Sequence, residues 1–352
     1  MTNANIQNRL CLFVFWFGFF GIFGCSGSNG SAPSDAGTDM IEADASPSRK
    51  GFRGEPPASV SCDPSNSVEG EKLSSVVFSS FSISGEIHGC GVTGEDSIRC
   101  WGNETSGQKS EAPGGAFTQV SLMWDQSCGI SSAGHANCWG GPYIGNSTTP
   151  PEGPTFSQIA LTEEFGCGIN KSNGSVECWW ADSTLDPPFN LDQRVPEGKA
   201  TQIDGHRGLM CGILTSSQNG TNLKCWGERV EDGEAIPDSG DFIDLAIGER
   251  IGCALRSDGS VNCWKSEWQD WTPAPSEEFV ELEGSRYNVC GITQSGDVNC
   301  WGREGLSNRL NSQTPDGCID QIRMGPGIAC YARPDGKVAC WGNDAVPHFQ
   351  FP

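Results

Sequence analysis

The 352-residue sequence is short of positive charge: 22 Lys+Arg stand against 44 Asp+Glu, a formal charge of -22 at pH 7. Nonspecific attraction to a polyanion or an anionic lipid surface would run against that charge, so nucleic acid is excluded as a partner. Histidine is scarce as well, limited to His88, His135, His206 and His348. None of the four forms HxH or HExxH, so a zinc hydrolase lacks its ligand set. His88 reads as a structural residue of a repeat, and His135 falls in a hairpin turn. There is no GxSxG elbow, no P-loop, no dinucleotide fingerprint and no EF-hand ladder of aspartates. The many carboxylates read as a solvated acidic surface, because a glycosidase pair needs a defined separation that a sequence does not give. These absences point to a chain that is not an enzyme and uses no cofactor or metal. Long apolar runs are missing too, save Leu10 to Gly24. At about 15 residues that run is short of the roughly 20 a spanning helix needs.

Cysteine, glycine and proline, by contrast, are plentiful, at 18, 47 and 21 residues. So many thiols do not suit a reducing cytosol, and the chain reads as exported and oxidised. Arg9 followed by the apolar run has the form of a signal peptide over residues 1–24. The next residues, Ile22-Phe23-Gly24-Cys25, resemble a bacterial lipobox, although Phe23 departs from the small residue usual there. That resemblance implies cleavage before Cys25 and its acylation, which would hold the protein on the bacterial envelope, at the outer membrane or cell surface, through lipid alone. Without acylation the chain would be secreted. Residues 25–60 are Ser, Gly, Ala, Pro and Asp with few large apolar side chains, so they read as a disordered linker.

Residues 61–352 are organised by an internal repeat. A cysteine pair followed by tryptophan recurs seven times: Cys90/Cys100-Trp101, Cys128/Cys138-Trp139, Cys167/Cys178-Trp179, Cys211/Cys225-Trp226, Cys253/Cys263-Trp264, Cys290/Cys300-Trp301 and Cys330/Cys340-Trp341. The first cysteines are 37 to 44 residues apart, with a mean of 40. Eleven residues before the first cysteine stand Phe117, Phe156, Phe242, Phe279 and Ile319, with Ala200 in the fourth copy and Phe78 at twelve in the first. Each unit opens on an alternating stretch that suits a strand and closes on a hairpin, as in Cys253-Ala254-Leu255, Ser257-Asp258-Gly259 and Val261-Asn262-Cys263. That centring places the two cysteines opposite each other on neighbouring strands, within reach of a disulfide. None of the pairs is CxxC, which disfavours zinc. With Cys11 in the signal and Cys25 lipidated, Cys62 and Cys318 remain to join the two ends of the array.

Seven units of this size, each unable to bury both faces alone, predict an all-β, seven-bladed propeller closed into a ring. The segment Val346 to Phe351 looks like the start of a further unit and is expected to complete the first blade. The units resemble the regulator of chromosome condensation (RCC1-like) repeat. The resemblance rests on Cys253-Ala254-Leu255-x-x-Asp258-Gly259-x-Val261-x-Cys263-Trp264, on Cys100-Trp101-Gly102-Asn103 with Gly107-Gln108, and on His88-Gly89-Cys90. It spans about residues 76–352 and implies the fold; function does not follow from it. The unit length is closer to bacterial members such as the propeller inhibitors of β-lactamase.

The seven repeat tryptophans belong to packing between blades. Aromatics outside that pattern, Trp124, Tyr143, Trp180, Trp268 and Trp271, are the better binding candidates. Loops after the first strand and loops after Cys-Trp emerge on one side of the ring, with hairpin tips on the other. Four residues ahead of the first cysteine, the units read Glu86, Trp124, Glu163, Arg207, Glu249, Arg286 and Pro326. A position that varies between otherwise similar units is suited to specifying a partner. The expected binding set is therefore Glu86, Trp124, Tyr143, Glu163, Trp180, Arg207, Glu249, Trp268 and Arg286. The function expected is a monomeric, non-enzymatic module that docks an extracellular protein or glycan through that face. An inhibitor of a secreted enzyme is the alternative that the bacterial resemblance implies, and an extracellular hydrolase or lyase the more distant one.

Overall fold

Each cysteine-tryptophan unit folds as one small antiparallel sheet, and the sheets are arranged as seven blades. The computed structural model describes residues 60, 76–85, 88–104, 106–141, 150–180, 195–215, 220–227, 236–237, 239–265, 270–342 and 351, with the backbone of 42–43. The expected signal segment, Cys25 and Cys62 lie outside them. Residues Thr38–Pro352 form one compact unit. Among the described residues no helix is long and apolar enough to cross a membrane.

The inner strands are Phe78–Ser84, Phe117–Met123, Phe156–Leu161, Ala200–His206, Phe242–Ile247, Phe279–Gly284 and Gln321–Gly325. Every one pairs with the middle strand of its own blade, which carries the first cysteine. The outer strand carries the second cysteine and the tryptophan. Both cysteines stand directly opposite in register in all seven blades. The expected pairs all form within their blades: Cys90–Cys100, Cys128–Cys138, Cys167–Cys178, Cys211–Cys225, Cys253–Cys263, Cys290–Cys300 and Cys330–Cys340, with Cα atoms 3.9 to 4.1 Å apart.

The two halves of each bridge nevertheless differ in burial, which equal spacing along the repeat did not suggest. The first cysteine is fully buried in every blade. The second lies on the outer strand, and it is only half-buried at Cys100, Cys138, Cys178 and Cys225 and exposed at Cys263. At Cys300 and Cys340, in the last two blades, it is buried as well. Cys318 is disulfide-bonded too, its partner lying outside the described residues.

Packing between blades follows one pattern. Phe117, Val120, Leu122 and Trp139 of the second blade cover Cys90 and Val92 of the first. Glycine beside the cysteine makes room for this: a Cβ on Gly91 would stand 2.4 Å from the Phe78 ring, and one on Gly89 would stand 2.4 Å from Trp101. Seven such clusters fill the seven junctions, and one of them joins Phe78, Phe81, Ile83 and Trp101 of the first blade to Ile328, Cys330, Val338 and Cys340 of the last. The ring is therefore closed. Residues 346–350 lie outside the described set, but Phe351 stacks on Trp101 of the first blade at 4.9 Å. Hairpin tips hook onto the next blade as well: Phe117 N–H donates to Asp96 O at 2.7 Å and Phe156 N–H to Gly134 O at 2.8 Å.

A second tie is buried near the axis. Inner strands splay too far apart to pair with one another, so their backbone groups need side-chain partners. Gln119 Nε2 donates to Ile159 O at 2.9 Å while its Oε1 accepts from Ile159 N–H at 3.1 Å. Gln158 makes the same two bonds to Ile203, at 2.9 and 3.0 Å. Gln202 reaches Asp244 at 2.6 Å, whose other oxygen accepts from Leu282 N–H at 2.7 Å. At the closing junction Arg323 Nε donates to Phe81 O at 3.1 Å. A one-residue bulge between Phe117 and Gln119, repeated in five other blades, re-aims this side chain toward the neighbour.

The linker between the sixth and seventh blades contains a helix, Glu304–Ser312, which departs from the all-strand expectation. Its Asn311 accepts from Cys300 N–H at 2.8 Å and donates to Cys300 O at 3.0 Å, so the side-chain amide satisfies the edge at Cys300, next to the short fourth strand Trp271–Thr272 that pairs at Gly302 and Arg303. Leu310 O accepts from Trp341 Nε1 at 3.1 Å, as Gln108 O does from Trp139 Nε1 at 2.8 Å.

Two outcomes are expected. Gln158→Leu leaves the buried N–H and C=O of Ile203 without partners, which should cost about 2–4 kcal/mol in denaturant unfolding. A loss under about 1 kcal/mol would show that the amide is not the tie. His88 is fully buried, with Nε2 2.8 Å from Ser127 Oγ of the second blade. Loss of solvation pushes its pKa from 6.5 down to about 4, against the opposing charge of Glu104. The unfolded chain therefore takes up a proton that the folded chain refuses between those values. Stability should fall as pH drops through that window, by up to about 3 kcal/mol. His88→Gln should flatten the profile there, as unfolding measured at pH 7, 5.5 and 4 would read.

Candidate functional site

The turns between inner and middle strands form the rim of the axial opening on one face. Ser82, Ser121, Asp204, Glu283 and Arg323 are among the residues around that opening, a cavity of about 70 Å³. It has room for a handful of water molecules but not for a sugar ring. Recognition of anything larger must use the rim itself.

Five of the expected binding residues meet on that rim as one chain of contacts. Trp124 Nε1 donates to Glu163 Oε1 at 2.6 Å. Glu163 Oε2 lies 3.8 Å from Arg207 Nε. Arg207 then pairs with Glu249, and Arg286 Nε reaches the other oxygen of Glu249 at 2.5 Å. Residues about 40 positions apart, one per blade, thus join across four junctions from the second blade to the sixth. In these five blades the variable repeat position is not a row of independent side chains: each of the five residues is engaged by its neighbour around the ring. Glu86, Tyr143 and Trp268 lie outside the described residues, and Trp180 ends the strand Val176–Trp180 with its side chain outside them. Trp271 is half-buried and pairs with Arg303 in a short strand at the blade edge.

Burial alone would raise the Glu249 pKa, but the hydrogen bond from Arg286 and the charges of Arg207 and Arg286 hold its carboxyl below the usual range. The same hydrogen bond raises Arg286. The Glu249 side chain is 6% exposed, against 29% for Arg207 and 38% for Arg286. The carboxylate is the buried hub, and the guanidinium groups are the solvent-facing part.

Two of the turns are strained. Trp124 and Arg207 have φ of 49° and 47°, a left-handed conformation that, among the described non-glycine residues, is shared only by Asp96. Arg207 is followed by Gly208 at φ 72°, a two-residue hairpin turn of the kind that favours Asn-Gly.

Four further residues, Tyr287, Arg303, Arg250 and Asp125, contribute to this face without having stood out in the sequence. Tyr287 has the guanidinium carbon of Arg286 4.9 Å and that of Arg303 5.6 Å from its ring centroid. Arg250 is exposed beside Glu249. Asp125 accepts from Gln108 Nε2 at 2.9 Å, fastening the loop after Cys100-Trp101 to the same face. The Gly107-Gln108 pair carried that last signal; nothing in spacing alone marked Tyr287 or Arg303. The contact between His88 and Ser127 is not a catalytic dyad, because both residues are fully buried.

No protein-family model matches the chain. Among solved structures it is similar to the CRINKLY WD40 ectodomain of the receptor kinase ACR4 of Arabidopsis thaliana, at 19% identity over 78% of this chain and 97% of that one, with a TM-score of 0.60. It is also similar to the ectodomain of the Physcomitrella patens receptor kinase CR4, at 19% identity over 78% and 73%, TM-score 0.60. A third is yeast RCC1 (Prp20), solved bound to Kap60, at 14% identity over 88% and 90%, TM-score 0.55. The likeness is one of fold, and the fold is a seven-bladed propeller similar to that of RCC1.

Glu249→Gln should remove the two ion pairs and cost about 1 kcal/mol at pH 7, a modest figure because the guanidinium partners are partly solvated. The folded pKa lies below the unfolded one, so this contribution is present above the unfolded carboxylate pKa and lost as pH falls through the folded value. The gap between parent and variant in urea midpoints should narrow under those acidic conditions.

Proposed function

We propose that the chain is a non-enzymatic binding module of the bacterial envelope, anchored through lipid on Cys25, whose rim face docks an extracellular protein or glycan. One observation carries the reading. A left-handed backbone costs a residue with a Cβ about 1–2 kcal/mol, and a bulky one is a genuine outlier. The same rim turns use Gly85 in the first blade and Pro326-Gly327 in the last, so the fold has unstrained solutions at hand. Trp124 and Arg207 nevertheless occupy such positions, which places an aromatic ring and a guanidinium on the rim at a cost in stability. Strain of this kind is concentrated where binding or catalysis needs a fixed side chain.

The architecture supports this reading. The disulfide four residues beyond each described rim position ties the middle strand that leaves the turn to the outer strand of its blade, so little conformational entropy would be lost on docking. Ile243 is the only large apolar side chain exposed among the described residues, which directs recognition to polar, charged and aromatic contacts. One of the structurally similar proteins is known with protein partners: yeast RCC1 (Prp20) was solved bound to Kap60 and studied for its binding to Gsp1p and histones.

The test uses Arg207→Asn, since Asn tolerates the left-handed turn. Its unfolding free energy should stay within about 1 kcal/mol of the parent, with relief of strain offsetting the lost ion pair. Capture of the natural partner from the organism's envelope and medium, read by mass spectrometry, should weaken about tenfold or more in Arg207→Asn, Trp124→Ala and Arg286→Ala. A partner retained equally by all three variants would remove this face from consideration.

A further inference from the structure

Three arginines of the rim turns, Arg207, Arg250 and Arg286, stand on the fourth to sixth blades, and Arg303, at the end of the sixth blade's outer strand, lies beside Tyr287 of the same rim. Cations are scarce in this chain, at 22 among 352 residues, so the grouping is not a matter of composition. The Glu249 side chain pairs with two of them and is only 6% exposed. Arg250 and Arg303 are exposed, and Arg286 is 38% exposed. Arg286 and Arg303 both lie within cation–π range of Tyr287, at 4.9 and 5.6 Å, so that ring orders the two forks. The backbone couples the pieces as well, with Glu249 N–H donating to Arg286 O and Arg303 N–H to Tyr287 O, both at 3.0 Å.

We infer that this patch binds a carboxylate-rich peptide segment of a protein partner. The inference rests on the rim being the docking face. Guanidinium presents paired donors in a rigid plane that matches a carboxylate, and arginine is the cation of choice for that pairing. Glu249, clasped by Arg207 from one side and Arg286 from the other, shows within the molecule how a carboxylate is received here. A chain of charge -22 repels acidic segments everywhere else, so a partner of that kind is steered to one place and one orientation. An acidic glycan is the less suitable ligand: sugars stack on free aromatic faces, whereas guanidinium groups flank the Tyr287 ring. Polyphosphates and nucleic acid are too densely charged to approach a surface of this net sign.

The experiment uses the mature protein and three fluorescent probes: a peptide of about ten Asp/Glu residues, the same peptide with Asn/Gln, and a polygalacturonate oligomer. The acidic peptide should bind, the amide version should not, and binding should weaken at least about tenfold as salt rises from about 50 to 200 mM. Arg250→Gln with Arg303→Gln, both at exposed positions, should weaken it by a further tenfold or so. Unchanged disulfides and melting temperature would show that the double variant is folded. Failure of the acidic peptide at low salt, or equal binding by the double variant, overturns the inference. Preference for the uronate oligomer overturns it in favour of a glycan. Binding that appears only after Glu231, Asp232 and Glu234 are changed to amides overturns it in favour of the chain's own acidic segment as occupant. If the peptide fails while partner capture still depends on Arg207, the docking face stands and only the chemistry assigned to its ligand falls.

Discussion

The structure depends on how a ring of separate sheets satisfies the backbone at its centre. Strands within a blade exchange hydrogen bonds with each other, but neighbouring inner strands diverge around the axis and leave N–H and C=O groups facing a gap. Buried and unpaired, those groups would each cost on the order of 1–3 kcal/mol. The side-chain amides of Gln119 and Gln158 close the gap by imitating a peptide unit, donating and accepting at the same backbone residue of the next blade. Asp244, Glu281 and Arg323 do related work farther round, and Arg323 makes the final contact back to Phe81 in the first blade. In the bulged blades the extra residue ahead of the latch turns the side chain out of its own sheet, whereas Arg323 reaches across from an unbulged strand on its longer side chain. The closed wheel is thus a consequence of polar satisfaction as much as of apolar burial.

Stability and function are divided between layers. Tryptophan, the Phe of the inner strand and the disulfide fill each junction and fasten the outer two strands of every blade. That covalent tie in the chain-entropy view contributes somewhat less than about 3 kcal/mol per blade for so short a loop. Its buried end belongs to the core, whereas its outer end at Cys138, Cys178 or Cys225 sits at the edge of the packing, so the bridge carries the hold of the middle strand out to the periphery. With the strands fastened, the turns at their ends are free to adopt conformations that would unravel a looser hairpin. Trp124 and Arg207 in left-handed turns are tolerated because Cys128 and Cys211 begin the fastening four residues later.

Legibility in the sequence follows from what kind of force fixes each feature. The blades were legible because cysteine pairs and tryptophan recur at nearly fixed spacing, and a large ring or a covalent bond leaves little choice of place. The inner-strand start was legible for the same reason, through Phe117, Phe156, Phe242 and Phe279. The latch was not, although Phe-x-Gln stands at 117–119 and 156–158: a glutamine inside an alternating strand looks like a solvent-facing residue until the bulge is known. Helix Glu304–Ser312 was hidden for a similar reason, since its polar sequence takes its structure from Leu310 and Asn311 docking on the neighbouring edge. That helix also helps explain why Cys300 is covered while Cys138, Cys178 and Cys225 are not: Asn311 lies over the Cys300 backbone. The rim position was found, but not that its residues grip one another. Contact between Glu163, Arg207, Glu249 and Arg286 depends on the radius of the ring, which the spacing along the chain does not encode.

This mutual grip determines how the rim works. A side chain that both faces a partner and ties two blades cannot be judged by loss of binding alone, because its removal also loosens the frame that positions the others. Burial separates the two roles along this chain of contacts. Glu249, almost wholly covered, can act on a ligand only by holding Arg207 and Arg286 in place, whereas Arg250 and Arg303 reach solvent and can meet a ligand directly. In the proposed docking the order of exposure, from hub to fork to outer arginine, would be an order of roles: the covered carboxylate fixes geometry, and the guanidinium groups it orients meet the ligand together with the outer ones. A rim built this way is pre-organised by its own internal counter-ion, so an incoming carboxylate meets guanidinium groups already oriented and not ones that must first be ordered.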